Sequence, residues 1–231
     1  MRRALALPLL VALLLGASAC SDEGGDSAPK DSAAAQDSAC EELLGDAGLK
    51  WLESRTGGPG KAHMRSDDGL EEARTLFYDQ VLGWDPDSDG VPSFVTAEVC
   101  KARTDVADPR KQLALQFGAS LFPFDSPFDA ESDIQAEPAV TPVGPDVKLV
   151  HGKDRDGTVR YRVYVKCRIA GAPAEQENEI PVEGQLADTL TGETSARVHL
   201  TRLLHSAGVM TKNLGCENKP LVPAEPPASV K

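Results

Sequence analysis

Thr158-Val159-Arg160-Tyr161-Arg162-Val163-Tyr164-Val165-Lys166-Cys167-Arg168-Ile169 alternates without a break. Val159, Tyr161, Val163, Val165, Cys167 and Ile169 share one face of an extended chain, while Arg160, Arg162, Tyr164, Lys166 and Arg168 share the other. A period of two marks a strand with one side buried and one side wet. Val147 to His151 precedes it across the turn residues Lys153-Asp154-Arg155-Asp156-Gly157, so the two runs read as a hairpin. Cys167 falls on the apolar side.

Upstream, Gln112 to Ala119 alternates in the same way, with Leu113, Leu115 and Phe117 on one face. Val91 to Arg103 drifts towards the same period through Val95, Ala97 and Val99, and both read as adjacent antiparallel strands. Downstream, Ile180 to Leu186 adds a strand that Pro181 confines to an edge, because proline cannot donate to a ladder. Helical spacing appears in three places. Leu43, Leu44, Ala47, Trp51 and Leu52 follow a capping box at Ser38-Ala39-Cys40-Glu41 and stop at Gly57-Gly58-Pro59-Gly60. Asp68 to about Leu82 carries a second box, Asp68 with Glu71, and a buried stripe of Leu70, Ala73, Leu76, Phe77 and Val81. The last helix runs from about Ser195 to Leu214, with Lys212 in its final turn and Gly215 placed for a left-handed cap.

Between strands, Leu121 to Asp146 is broken by Pro123, Pro127, Pro138, Pro142 and Pro145. Phe122, Phe124 and Phe128 argue that its first part packs, and Ala130 to Pro145 reads as mobile. The expected fold is therefore α+β: an antiparallel sheet of about five strands with three helices on one face. Residues 40–218 form that single domain and residues 219–231, with Pro220, Pro223, Pro226 and Pro227, an extended tail.

The N-terminus sets the compartment. Arg2 and Arg3 precede an uninterrupted apolar run from Ala4 to Gly16, the secretory signal pattern, and the run is short of the roughly 20 residues a spanning helix needs. Ala17-Ser18-Ala19-Cys20 follows. A thiol directly after small residues suits a lipobox, whose sulfur receives diacylglycerol before cleavage; Ala17 stands where Leu is usual. Residues 1–19 are read as signal peptide and residues 20–39 as a lipidated Cys20 with a flexible linker, Ser21 to Ala39 having no large apolar side chain. Cleavage takes 24 basic residues to 22 against 36 acidic, so the net charge of −12 becomes −14. That balance argues against nucleic acid and against electrostatic adhesion to anionic lipid, leaving the lipid anchor to hold the chain.

Five cysteines are odd in number, and Cys20 is the one the anchor takes. Cys40, Cys100, Cys167 and Cys216 include no Cys-x-x-Cys pair, which favours two disulfides over zinc. Three connectivities are open. Cys40 with Cys100 and Cys167 with Cys216 is favoured, since each pair encloses a contiguous block, and loops of that length contribute about 4 kcal/mol each.

The lipobox, a Cys opening the first helix, a Cys after the first strand, the strand Tyr161-Arg162-Val163-Tyr164-Val165-Lys166-Cys167 and the close at Leu214-Gly215-Cys216-Glu217-Asn218 together resemble secreted actinobacterial, Streptomyces-type lipoproteins of uncharacterised function. The resemblance implies a surface lipoprotein and supplies no activity.

Two candidate sites emerge. Asp85-Pro86-Asp87-Ser88-Asp89-Gly90 alternates carboxylates before a glycine turn, as a Ca²⁺ loop does, with Asp85, Asp87 and Asp89 as ligands; Thr96 stands where an EF-hand would want Glu. Arg160, Arg162, Lys166 and Arg168 form a basic stripe that could receive an anionic envelope polymer or an acidic partner, unless the chain's own acids cover it. His63, His151, His199 and His205 assemble no site by spacing, and no nucleophile elbow, zinc-protease helix or phosphate loop occurs. The expectation is a non-catalytic lipoprotein on the extracytoplasmic face of the cell membrane that binds an envelope component or partner. A hydrolase of envelope material and a Ca²⁺-stabilised module are the alternatives.

Overall fold

The computed structural model describes residues 30–104, 108, 110–126, 138–154 and 156–231. In chain order these form α1 (Lys30–Thr56), β1 (Ala62–Arg65), α2 (Leu70–Leu82), β2 (Thr96–Thr104), β3 (Leu113–Ala119), β4 (Ala139–Pro142), β5 (Val147–Lys153), β6 (Val159–Val165), α3 (Gln176–Glu179), β7 (Val182–Asp188) and α4 (Ala196–Leu214). The strands make one sheet in the order β1-β2-β3-β7-β6-β5-β4, and every neighbouring pair is antiparallel. The class is α+β, with seven strands where about five were expected and four helices where three were. Cys20, residues 21–29, Phe128 and residues 130–137 lie outside the described residues.

The core forms where the alternation placed it. Leu113, Leu115 and Phe117 of β3, Val182 and Leu186 of β7, and Val163 and Val165 of β6 face α1, α2 and α4 in one continuous cluster. Leu43, Leu44 and Leu52 of α1, Phe77 and Val81 of α2, and Leu200, Leu203 and Leu204 of α4 fill it from the other side. The opposite sheet face carries a small cluster of Phe124, Val150 and Tyr164. At about 1.5–3 kcal/mol for each fully buried large apolar side chain, the helix-facing cluster is the main source of stability.

Both disulfides have the favoured pairing. Cys40 at the core face of α1 bonds Cys100 in β2, and Cys167 just beyond β6 bonds Cys216 just beyond α4. The sheet alternation extends through Ile169, but the strand itself ends at Val165. The Lys166 amide still donates to the Asp146 carbonyl at 2.9 Å, and beyond it the segment after α4 takes over: the Glu217 amide donates to the Arg168 carbonyl at 2.9 Å, and the Asn218 side chain bridges the Lys166 carbonyl and the Arg168 amide.

The strand after Pro181 is not at an edge. β7 sits between β3 and β6, paired along its whole length. Pro181 stands one residue outside it, so its missing N–H costs nothing, and its carbonyl accepts from the Ser120 amide at 3.0 Å. Gly184 at the middle of β7 admits the neighbouring rings: a Cβ there would lie 2.8 Å from Cζ of Phe117 and from Cγ1 of Val163.

Five further expectations are corrected. Lys30 to Ala39, assigned to the linker, belongs to α1, which begins eight residues ahead of the capping box expected at Ser38. Asp68 does not cap α2, whose N-cap is Gly69; its carboxylate accepts the Glu98 amide at 2.9 Å and closes the edge of β2. Val95 precedes β2 and is 57% exposed, while Ala97, Val99 and Ala102 are buried across a bulge between Glu98 and Cys100. Within the stretch read as mobile, residues 139–142 form β4. The tail is also folded back, with Val230 in the core and the Arg197 amide donating to the Lys231 carbonyl at 3.1 Å.

Candidate functional sites

The basic stripe is largely neutralised from within. Arg160 and Arg162 stand on the sheet face away from the helices, beside Asp154 and Glu183. Arg160 Nε donates to Asp154 at 2.6 Å, and Arg162 reaches Asp154 at 3.5 Å and Glu183 at 3.4 Å. Arg168 lies past the end of β6 and pairs with Glu177 at 2.5 Å. Lys166 sits 4.6 Å from the centre of the Phe124 ring, sharing that ring with Lys148 at 4.8 Å. Burial pushes the Glu183 carboxyl up, against Arg162, Ser120 and Tyr164, which pull it down. Four cations collected by sequence are thus divided among acids and an aromatic ring of the same chain.

The aspartate loop is an exposed turn after α2. Asp85 accepts the Asp87 amide on its carboxylate at 3.0 Å and the Ser88 amide on its carbonyl at 3.2 Å, and Ser88 Oγ accepts the Gly90 amide at 3.3 Å. These are the hydrogen bonds of a tight turn. Among the described residues no group of three or more His, Cys, Asp or Glu side chains converges on a point that could hold a metal ion.

Sequence spacing missed one histidine constellation. His199, in the first turn of α4, is 1% exposed and lies 2.9 Å through Nε2 from Asp188 at the end of β7, while Nδ1 lies 2.9 Å from the Ser195 carbonyl. An oxygen on each ring nitrogen fixes the orientation of the imidazole. The ring stacks on Tyr161 at 4.4 Å, which stacks on His151 at 6.0 Å, and Trp51 meets it edge-on at 5.8 Å. Burial pushes the Asp188 carboxyl up, but hydrogen bonds from His199, the Thr191 hydroxyl and the amides of Thr191 and Leu190 more than offset it and hold it below its ordinary value. Burial likewise pushes the Tyr161 hydroxyl up to about 12 and the His151 ring down. A cleft of about 380 Å³ opens beside the pair, lined by Tyr161, Asp188, Thr189 and Glu193. Glu193 is engaged too, by Arg55 and by the Thr194 and Ser195 amides at 2.9 Å. With both ring nitrogens and both carboxylates occupied, the constellation reads as a clamp between β6, β7 and α4. The only sequence signal for it was His199 lying on the apolar stripe of a helix.

No described helix is long and apolar enough to cross a membrane. Comparison of the chain with protein-family models, with curated proteins and with solved structures found no match.

Proposed function

We propose that this chain is an extracytoplasmic lipoprotein, cut before Cys20 and held at the membrane by lipid on that sulfur, whose domain binds an envelope polymer or partner protein rather than carrying out a reaction. The observation that carries the reading is the pairing of Cys40 with Cys100 and Cys167 with Cys216. Two disulfides belong to an oxidising compartment, and they leave Cys20 as the fifth cysteine of the sequence. The resemblance of its short motifs to secreted actinobacterial lipoproteins points the same way. With α1 beginning at Lys30, residues 21–29 separate the anchor from the first helix and reach at most about 30 Å when extended. The domain would work close to the bilayer.

Fractionation of a lipoprotein-processing bacterial host tests this. The wild-type chain is expected in the membrane fraction, released by detergent, and the Cys20→Ala chain in the soluble or secreted fraction with an unchanged melting temperature. Membrane retention of Cys20→Ala would remove the anchor. Crosslinking from intact cells then identifies what the domain touches.

A further inference from the structure

Where α1 meets α4 and the C-terminal tail, the chain encloses a cleft of about 520 Å³, within the usual range for small-molecule sites. Leu44, Leu204, Gly208 and Val209 give it an apolar floor, and Pro220 to Pro223 wall it, with Leu221 83% exposed. Its charged lining is Asp46, Arg202, His205 and Lys212.

Three features set this cleft apart from a packing gap. Every other described arginine, from Arg55 to Arg197, directs its side chain at a carboxylate or, for Arg103, at the Gln112 amide. Arg202 does neither, and its Nε is buried without a hydrogen-bond partner. The guanidinium lines the cleft with no carboxylate among the described residues to neutralise it. Second, glycine inside a helix weakens it relative to alanine, yet a Cβ at Gly208 would find its nearest neighbour, Val222 Cβ, 4.0 Å away. Packing of the chain does not demand glycine there, and the missing side chain leaves the cleft floor open beneath Val222. Third, α1 breaks at Gly45, where φ is 59° and ψ 172°, and a Cβ at that point would lie 2.6 Å from His205 Nε2. The break brings the backbone against His205 at the mouth of the cleft.

Arg202, His205, Val209 and Lys212 follow one stripe of α4 at i, i+3, i+7 and i+10. Arg202 and Lys212 against Asp46 leave the lining one positive charge in excess when His205 is neutral. We propose that the cleft binds an aliphatic carboxylate, its head on the Arg202 guanidinium beside His205 and its chain over Leu204 and Val209 beneath Val222. The site is independent of how the chain is anchored.

Calorimetric titration of the full-length chain carrying Cys20→Ala, so that no attached lipid competes, tests it with dodecanoate and with uncharged dodecan-1-ol. Dodecanoate is expected to bind saturably at one site, at least about tenfold more weakly to Arg202→Gln, the loss expected for a charge-assisted hydrogen bond. Gly208→Leu, which fills the floor, is expected to abolish binding, and dodecan-1-ol is expected not to distinguish Arg202→Gln from its parent. Circular dichroism melts establish that both variants fold; if Gly208→Leu does not, Arg202→Gln alone decides. Absence of saturable dodecanoate binding, or equal affinity in Arg202→Gln, would overturn the proposal.

Discussion

Asp188 takes four hydrogen bonds at the seam where β7 ends and α4 begins, and its side chain and that of His199 are each 1% exposed. Its folded-state carboxyl lies below the ordinary value near 3.9, so the stability it contributes is full above about pH 4 and is lost as the pH falls through the folded value. Removing one member of a buried pair costs about 3–5 kcal/mol. Asp188→Asn is therefore expected to lose about 3 kcal/mol at pH 7 in urea titrations. The gap from wild type should narrow only below about pH 4, as wild type loses the same contribution; a gap that closes between pH 7 and pH 5 would mean the clamp is something other than this carboxylate. None of this was legible from spacing. His199 and Asp188 are eleven residues apart on different elements, and only the β7-to-α4 turn brings them together. Legible without structure were the residues whose position follows from local periodicity: Cys167 on the core face, and Gly215 with φ 64° at the left-handed cap of α4.

At the scale of elements, the long alternating or amphipathic segments were readable and the short or proline-bounded ones were not. β3, β5, β6, α2 and α4 each carry several apolar residues at one period, which fixes both type and facing. β1 is four residues of Ala-His-Met-Arg and β4 is Ala-Val-Thr-Pro, both edge strands whose side chains are mostly solvated, so neither leaves a hydrophobic trace. β7 was legible as a strand but misplaced, because the rule on proline was applied to a residue just outside the ladder. The break in α1 has its own local compensation. Ser206 of α4 is fully buried, and its hydroxyl donates to the Leu43 carbonyl at 2.8 Å, two residues before the break at Gly45. A side-chain donor inserted beside an interrupted helical ladder is one recognised way of holding a kink. Ser206→Ala leaves that carbonyl short of a buried donor and is expected to lower stability by about 1–3 kcal/mol in chemical denaturation. A loss under about 0.5 kcal/mol would indicate that the kink is held by Gly45 and the Cys40 disulfide without it.

At the scale of the whole molecule, the two disulfides tie the ends of the domain to its sheet. Cys40–Cys100 fastens α1 to β2 over a separation of 60 residues, and Cys167–Cys216 fastens the end of α4 to the end of β6 over 49. The charge stripe shows how an acidic chain hides its cations: Arg160, Arg162 and Arg168 look available in sequence because their partners, Asp154, Glu183 and Glu177, lie on other segments. Arg202 looked unremarkable in sequence and is, among the described arginines, the one without a side-chain partner. Intact-mass spectrometry of the mature chain purified from membranes without reductant reads all five cysteine sulfurs at once. The expected result is a chain beginning at Cys20, carrying the added mass of diacylglycerol and acyl groups on that residue, with no thiol available to alkylation until reductant exposes four. An N-terminus elsewhere, an unmodified Cys20, or free thiols among Cys40, Cys100, Cys167 and Cys216 before reduction would contradict it.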